Sequence, residues 1–340
     1  MEKKLIWKPD INFLFYFLFL SVIIFSCDSI TKDDIDHQHI EIDLNVKRLD
    51  QKLFDASSNV EIDSIIAKNR DVFNLYLELN KLPNSRVLSE MLYQRVQDSS
   101  VRVFYNQSQE IFGDFKEREK ELKDLFKHVK YYYPDFRAPE VSCIFTAFLS
   151  PLDIIVSKGH IIIGLDYFLG PEAMYVQNDP QYILDRYRPE NLVPMFIGLG
   201  ISNFYNETNH EDQTLVADMI YYGKAHYFLS KMVHEISDSQ NLGFSEDDIA
   251  YFRDKEKILW AYFVERSLLF ETNRIEIQKY ISERPKTIEI EPECPGRVGR
   301  WMGYEIVKSY MDKNELSLQE LMAEKDAQKI FRLSGYNPSR

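Results

Sequence analysis

A chain of 340 residues with 54 acidic against 41 basic side chains carries a formal charge of −13. That sign disfavours nucleic acid, and anionic lipid recognised through a basic body, as partners. Hydrophobic residues make up 45% and aromatic residues 14%, so core material is not scarce and the length suits one large or two modest domains.

The first 26 residues run from basic to apolar to small, the layout of a signal peptide. "MEKKLIWKPD" holds three lysines, "INFLFYFLFLSVIIF" is apolar except for Asn12 and Ser21, and Ser26 precedes Cys27. The apolar run is shorter than the roughly 20 residues that span a bilayer. "IIFSC" resembles a lipobox, in which the Cys27 thiol is acylated and becomes the mature N-terminus. Residues 27–40 then form a lipid anchor and a flexible acidic tether, because "DSITKDDIDHQH" is polar and aperiodic. A dozen such residues, at about 3.3–3.6 Å each, reach roughly 40 Å. Losing residues 1–26 removes three lysines and two acids and takes the charge to −14. Cys143 and Cys294 remain; export permits them to pair, and burial as free thiols is the alternative. No C-x-x-C spacing points to a zinc ribbon or a redox site.

Residues 41–340 read as one domain in two parts. Over 41–135 the pattern is helical, in "VKRLDQKLFDA", "IDSIIAKNRDVFNLYLE", "NSRVLSEMLYQRVQDSSVRVFYNQ" and "DFKEREKELKDLFKHVKYYY", each with apolar residues three and four apart. The prolines of "YYPDFRAP" end this block. Within 136–340, "VSCIFTAF" and "IIVSKGHIIIGLDYF" are rich in β-branched and aromatic residues, with Lys158-Gly159 at a hairpin turn between Ile155 and Ile161. Helices follow in "PENLVPMFIGLGISNFY", "EDQTLVADMIYYGKAHYFLSKMV", "SEDDIAYFRDKEKILWAYFVERSLLF", "GRWMGYEIVKSYMDK" and "SLQELMAEKDAQKIFRLS". Ser245 with Asp248, and Ser317 with Glu320, have capping-box spacing. The expected class is α+β, predominantly helical, with one small antiparallel sheet.

Chemistry is harder to find. A zinc hydrolase needs two imidazoles one helical turn apart with a glutamate between them, as in H-E-x-x-H. The seven histidines are His37, His39, His128, His160, His210, His226 and His234, and none has another four residues on. There is no G-x-S-x-G for a serine hydrolase. The glycines of "GRVGRWMG" lack a phosphate-loop context and read as turns and close helix approach. His37 and His39 read as solvated residues of the tether. Glu265, in the aromatic "WAYFVERSLLF", is open to two readings: a buried base of raised pKa, or an ion-paired carboxylate on an amphipathic face. Lys224 and His226 stand out inside the otherwise apolar "MIYYGKAHYFL".

The order "IIIGLDYFLGPEA", "MIYYGKAHYFL", "ILWAYFVERSLLFETN", "CPGRVGRWMGYEIVKSYM" and "LSGYNP", with "DLNVKRLDQKLF" after the tether, resembles the gliding-motility lipoprotein GldB family of Bacteroidetes-type bacteria. The resemblance covers essentially the whole chain, Cys27 included, and implies a place in the envelope machinery for gliding, which is linked to type IX secretion. More distantly the C-terminal part is similar to zinc peptidases with a thermolysin-like (zincin) core. That resemblance implies a degenerate zincin scaffold with added N-terminal helices, in which "LVPMFIGLGISNFY" stands where H-E-x-x-H would and Tyr222-Gly223 where a Glu-Gly pair would. On this view Gly223 allows close helix packing and Tyr222 fills space a carboxylate and metal once held. Lys224 pairs with an acid such as Glu265, or runs its stem along apolar surface to water. His226 is a hydrogen-bonded core histidine, with ligation as the alternative. The expectation is a protein with no catalytic residues, metal or cofactor. Its old cleft would survive as a partner surface drawn from Tyr221, Tyr222, Lys224, Trp260, Glu265, Trp301 and Tyr304. The rival expectation is an envelope zinc peptidase with an atypical metal site, and a third is a soluble-ligand binding lipoprotein.

Overall fold

The computed structural model describes residues 39–338. Its folded part opens with strand β1 (Val46–Arg48) and helix α1 (Leu49–Asp55). The sequence pattern extends the helix back to Val46; instead, these first residues are drawn into the sheet beside a buried partner strand. Helices α2 (Asn59–Lys68), α3 (Arg70–Leu77), α4 (Ser85–Gln97), α5 (Ser99–Phe112) and α6 (Lys116–Tyr132) follow. Two of these breaks fall inside stretches of continuous helical periodicity. At Asn69 the side-chain amide donates to the Ile65 carbonyl, closing α2. At Asp98 the carboxylate accepts from the Ser100 and Val101 backbone amides, which starts a new helix in place of continuing the old one.

The sheet adds β2 (Glu140–Ile144), β3 (Ile154–Val156) and β4 (His160–Gly164) in the order β1-β2-β4-β3. Only β3 and β4 are antiparallel, and their hairpin turns at Ser157–Gly159, where the Ser157 hydroxyl donates to the His160 carbonyl at 2.8 Å. The β1–β2 and β2–β4 pairings are parallel, so the sheet is mixed where an antiparallel one was expected. The reason is topological: β2 and β4 are joined by a crossover that includes β3, and β1 arrives from the other end of the helical block. Val141, Cys143, Ile144 and Ile161–Ile163 are fully buried, as central strands covered on both faces should be. Cys143 and Cys294 are buried free thiols, not a disulfide.

After the sheet, Leu192–Gly198 adopts a π-helix that runs on as one α-turn, Leu199–Ser202. Pro194 lies inside it and has no amide hydrogen to donate, which favours the wider winding. The remaining long helices are α7 (Leu215–Met232), α8 (Glu246–Glu265), α9 (Arg274–Ile281), α10 (Val298–Lys313), α11 (Leu318–Ala323) and α12 (Ala327–Ser334). Both expected capping boxes form, Ser245 with Asp248 on α8 and Ser317 with Glu320 on α11. From Ile40 onward the chain forms one compact unit, predominantly helical with this small sheet. No helix among the described residues is long and apolar enough to cross a membrane.

Candidate functional site

The interior is organised by α7, whose apolar residues surround it and which is therefore buried along its length. It crosses α10 where Gly223 faces Gly303, so closely that a Cβ on either would overlap the main chain of the other helix. One residue on, the Lys224 side chain is 2% exposed. Its ammonium donates to the carbonyls of Glu207 (2.7 Å), Met322 (3.1 Å) and Glu324 (2.8 Å). This binds α7 to the loop before it and to the end of α11, and Glu265, the expected partner, is not involved. Burial pushes the Lys224 pKa down to about 8, against the pull of Glu324 and Glu207.

His226 is also buried, with Nδ1 3.3 Å from the Asn241 side-chain oxygen, while the Asn241 amide donates back to the His226 carbonyl at 3.1 Å. That reciprocal pair places the ring proton on Nδ1. Burial lowers the His226 pKa to about 4, so the ring is neutral near pH 7. The two polar residues of "MIYYGKAHYFL" thus both bond to the chain's own groups.

On the outer side of α7, Tyr221 and Tyr222 line a groove of about 550 Å³ together with Asp218, Arg274, His210 and Ile277. The Tyr221 hydroxyl donates to Asn203 at 3.0 Å, and the Arg300 guanidinium lies 4.3 Å from the Tyr222 ring centroid. Asp218 meets Arg274 at 3.0 Å; burial nevertheless holds its pKa above the usual carboxylate value. Segment 281–285 contributes Ile281 and Ser282 to this groove and Arg284 and Pro285 to a second pocket of about 430 Å³, lined also by Arg186, Arg297, Asp248 and Phe244. In the middle of that segment, the Glu283 carboxylate is shared by Arg186 (3.0 Å), Arg300 (3.0 Å) and Arg297 (3.4 Å). Partial burial raises the Glu283 pKa, but the three guanidinium groups outweigh it and hold the carboxyl below its ordinary value. Arg297 also donates to the Gly243 carbonyl at 2.6 Å and stacks on Phe244, and burial lowers its pKa to about 9.

Of the residues singled out from sequence, Tyr221 and Tyr222 share this groove. Trp260 is buried against Tyr336, with ring centroids 5.0 Å apart, and Trp301 is stacked on Phe252 in the core. Tyr304 is buried next to the His226 ring. Glu265 is exposed at the C-terminal end of α8. Cys27 lies outside the described residues. Sequence reasoning missed Arg186, Arg274, Glu283, Arg297 and Arg300. The signal in the sequence is "GRVGR", whose two arginines stand three apart at a helix start. Among the described residues no three His, Cys, Asp or Glu side chains gather as a metal site requires.

These features define a predominantly helical α+β domain with a polar, tyrosine-lined surface groove. The chain belongs to the family described as gliding motility protein GldB, whose family model matches residues 30–338. No curated protein and no solved structure matches it.

Proposed function

We propose that this protein is a lipid-anchored, non-catalytic envelope component of the gliding machinery and its associated type IX secretion system, acting through protein contacts. The observation that carries the reading is the use made of the ionisable groups in the central helix. Lys224 donates to three backbone carbonyls, His226 bonds Asn241 through Nδ1, and both side chains are buried, which supports neither being presented to a substrate. Family membership supports the setting, and the basic, apolar and Ser26-Cys27 series supports export and acylation at Cys27. The Tyr221–Tyr222 groove is the partner surface: aromatic rings beside an Asp218–Arg274 pair supply apolar anchoring with polar orientation.

The test is complementation. A deletion strain should fail to spread on agar, and the wild-type gene should restore spreading. Tyr221→Ala combined with Arg274→Glu should not restore it, although the protein accumulates normally in the membrane fraction. Normal spreading by the deletion strain refutes the assignment. Stoichiometric zinc in purified protein, with peptide hydrolysis that a chelator stops, would establish the enzymatic rival instead.

A further inference from the structure

The parallel register brings the N-terminal ends of β1, β2 and β4 to one end of the sheet, Val46 beside Val141 and Glu140 beside His160. The turn between β3 and β4 projects at this same end, with Lys158 exposed at its tip. The chain reaches β1 from this side: the Glu41 carbonyl accepts a hydrogen bond from Lys130, near the end of α6, at 3.3 Å. Immediately beyond Lys130 come three tyrosines and then Pro134, Asp135, Phe136 and Arg137.

Tyr132, Tyr133, Phe136, Arg137, Lys158 and Tyr205 line a pocket of about 500 Å³ here. Tyr133 is stacked on Tyr205 at 3.7 Å between centroids. Its buried hydroxyl has no hydrogen-bond partner among the described residues. Tyr131, just outside, is 47% exposed. Arg137 and Lys158 are exposed and form no ion pair among the described residues, while Asp135 is the acid lining the pocket. In a strongly acidic protein, this end combines an exposed tyrosine, a proline and two cations without an acidic partner among the described residues.

We propose that this end of the domain rests on the phospholipid surface of the membrane holding the anchor, with its tyrosines at headgroup level and Arg137 and Lys158 on lipid phosphates. The inference builds on acylation of Cys27. The dozen residues from there to Ile40 can span no more than roughly 40 Å, so the end where the chain enters is the part of the domain whose distance from the lipid the anchor limits most. Tyrosine suits the interface because its ring is apolar and its hydroxyl wet, and arginine and lysine reach phosphate by extending their apolar stems. Two other occupants are conceivable, the chain's own acidic segment around Asp33, Asp34 and Asp36, and a protein partner. Lipid is favoured because the route of the chain alone delivers this face to the bilayer.

The test uses the acylated full-length chain reconstituted in vesicles of phosphatidylethanolamine and phosphatidylglycerol, with or without bromine on the acyl chains near the headgroups. With the signal peptide removed, the remaining tryptophans are the buried Trp260 and Trp301. Tyr131→Trp therefore supplies the reporter, and its added emission should be lower in brominated than in unbrominated vesicles, since an indole at headgroup level lies beside the bromine. Adding Arg137→Glu and Lys158→Glu should abolish that quenching while the protein still floats with the vesicles and keeps its urea midpoint. Equal emission with and without bromine overturns the proposal, because pure vesicles offer lipid and no partner protein. Hydrogen-exchange protection of 133–137 that disappears when Asp33, Asp34 and Asp36 become asparagine assigns the pocket to the tether and overturns it too. Failure of the anchor itself is read separately: a chain that stays membrane-bound as Cys27→Ser, or carries no acyl group, removes the proposed anchor as well as this inference.

Discussion

Replacing Lys224 by methionine tests the central clamp. The two side chains have similar length and apolar stems, so the substitution removes the ammonium and little else. Three carbonyls lose their donor; the Met322 carbonyl keeps the Glu207 amide at 2.9 Å, but those of Glu207 and Glu324 have no other backbone donor among the described residues. A buried group left without a partner costs about 1–3 kcal/mol. Against this stands relief from burying a cation, whose pKa is lowered from 10.5 to about 8. At about 1.4 kcal/mol per pH unit that interval bounds the relief at ~3.5 kcal/mol. The expected net loss at pH 7 is about 1–3 kcal/mol, read from urea unfolding at unchanged m-value.

The pH dependence has a definite sign. Because the native pKa lies below the unfolded one, the unfolded chain binds more protons between about pH 8 and 10.5, so wild-type stability rises with pH across that window. The gap between wild type and Lys224→Met should therefore widen from pH 7 to pH 9.5. A methionine variant as stable as wild type, with a gap independent of pH, would refute the clamp.

Gly303→Ala should be severe, because its methyl group would meet the Met219 carbonyl of α7, a main-chain atom that cannot swing aside; a loss of about 3 kcal/mol or more is expected by urea unfolding. His226→Ala should lower stability by about 1–3 kcal/mol, since Asn241 loses its partner, while colonies still spread. The His226 pKa is depressed from 6.5 to about 4, so wild-type stability should fall as pH drops through that interval, by at most ~3.5 kcal/mol, and His226→Gln should flatten this slope in denaturation curves at pH 4–7. Glu283→Gln leaves Arg186, Arg297 and Arg300 facing one another without a counter-charge; discounted for partial solvent access, about 1–3 kcal/mol should be lost, and added salt should recover part of it.

Local signals in the sequence were legible where the deciding chemistry is local. The capping boxes at Ser245 and Ser317 and the Lys158-Gly159 turn need only neighbours three or four residues away, and all three form. Helix breaks at Asn69 and Asp98 were hidden because periodicity continues across them while a side chain competes for the backbone. The strand at Val46–Arg48 was hidden because its partner lies about a hundred residues on, and a helical period in its own sequence says nothing about pairing. Lys224 posed the same problem more sharply. An acid was the natural partner to seek, yet the ammonium is held by main-chain oxygens of residues 207, 322 and 324, which no residue type announces. The Glu283 cluster likewise assembles arginines from positions 186, 297 and 300.

The arrangement of β1 has a mechanical consequence. The component of a pull on the N-terminal segment that lies along the strand axis loads the parallel β1–β2 bonds at Val46–Arg48 together in shear, where a sideways pull would peel them one at a time. Behind them Arg48 grips Asp50 and the Gly113 carbonyl, which passes tension from the strand into α1 and the end of α5. Tension along that axis is thereby spread across the sheet and the helical block before any single bond is isolated.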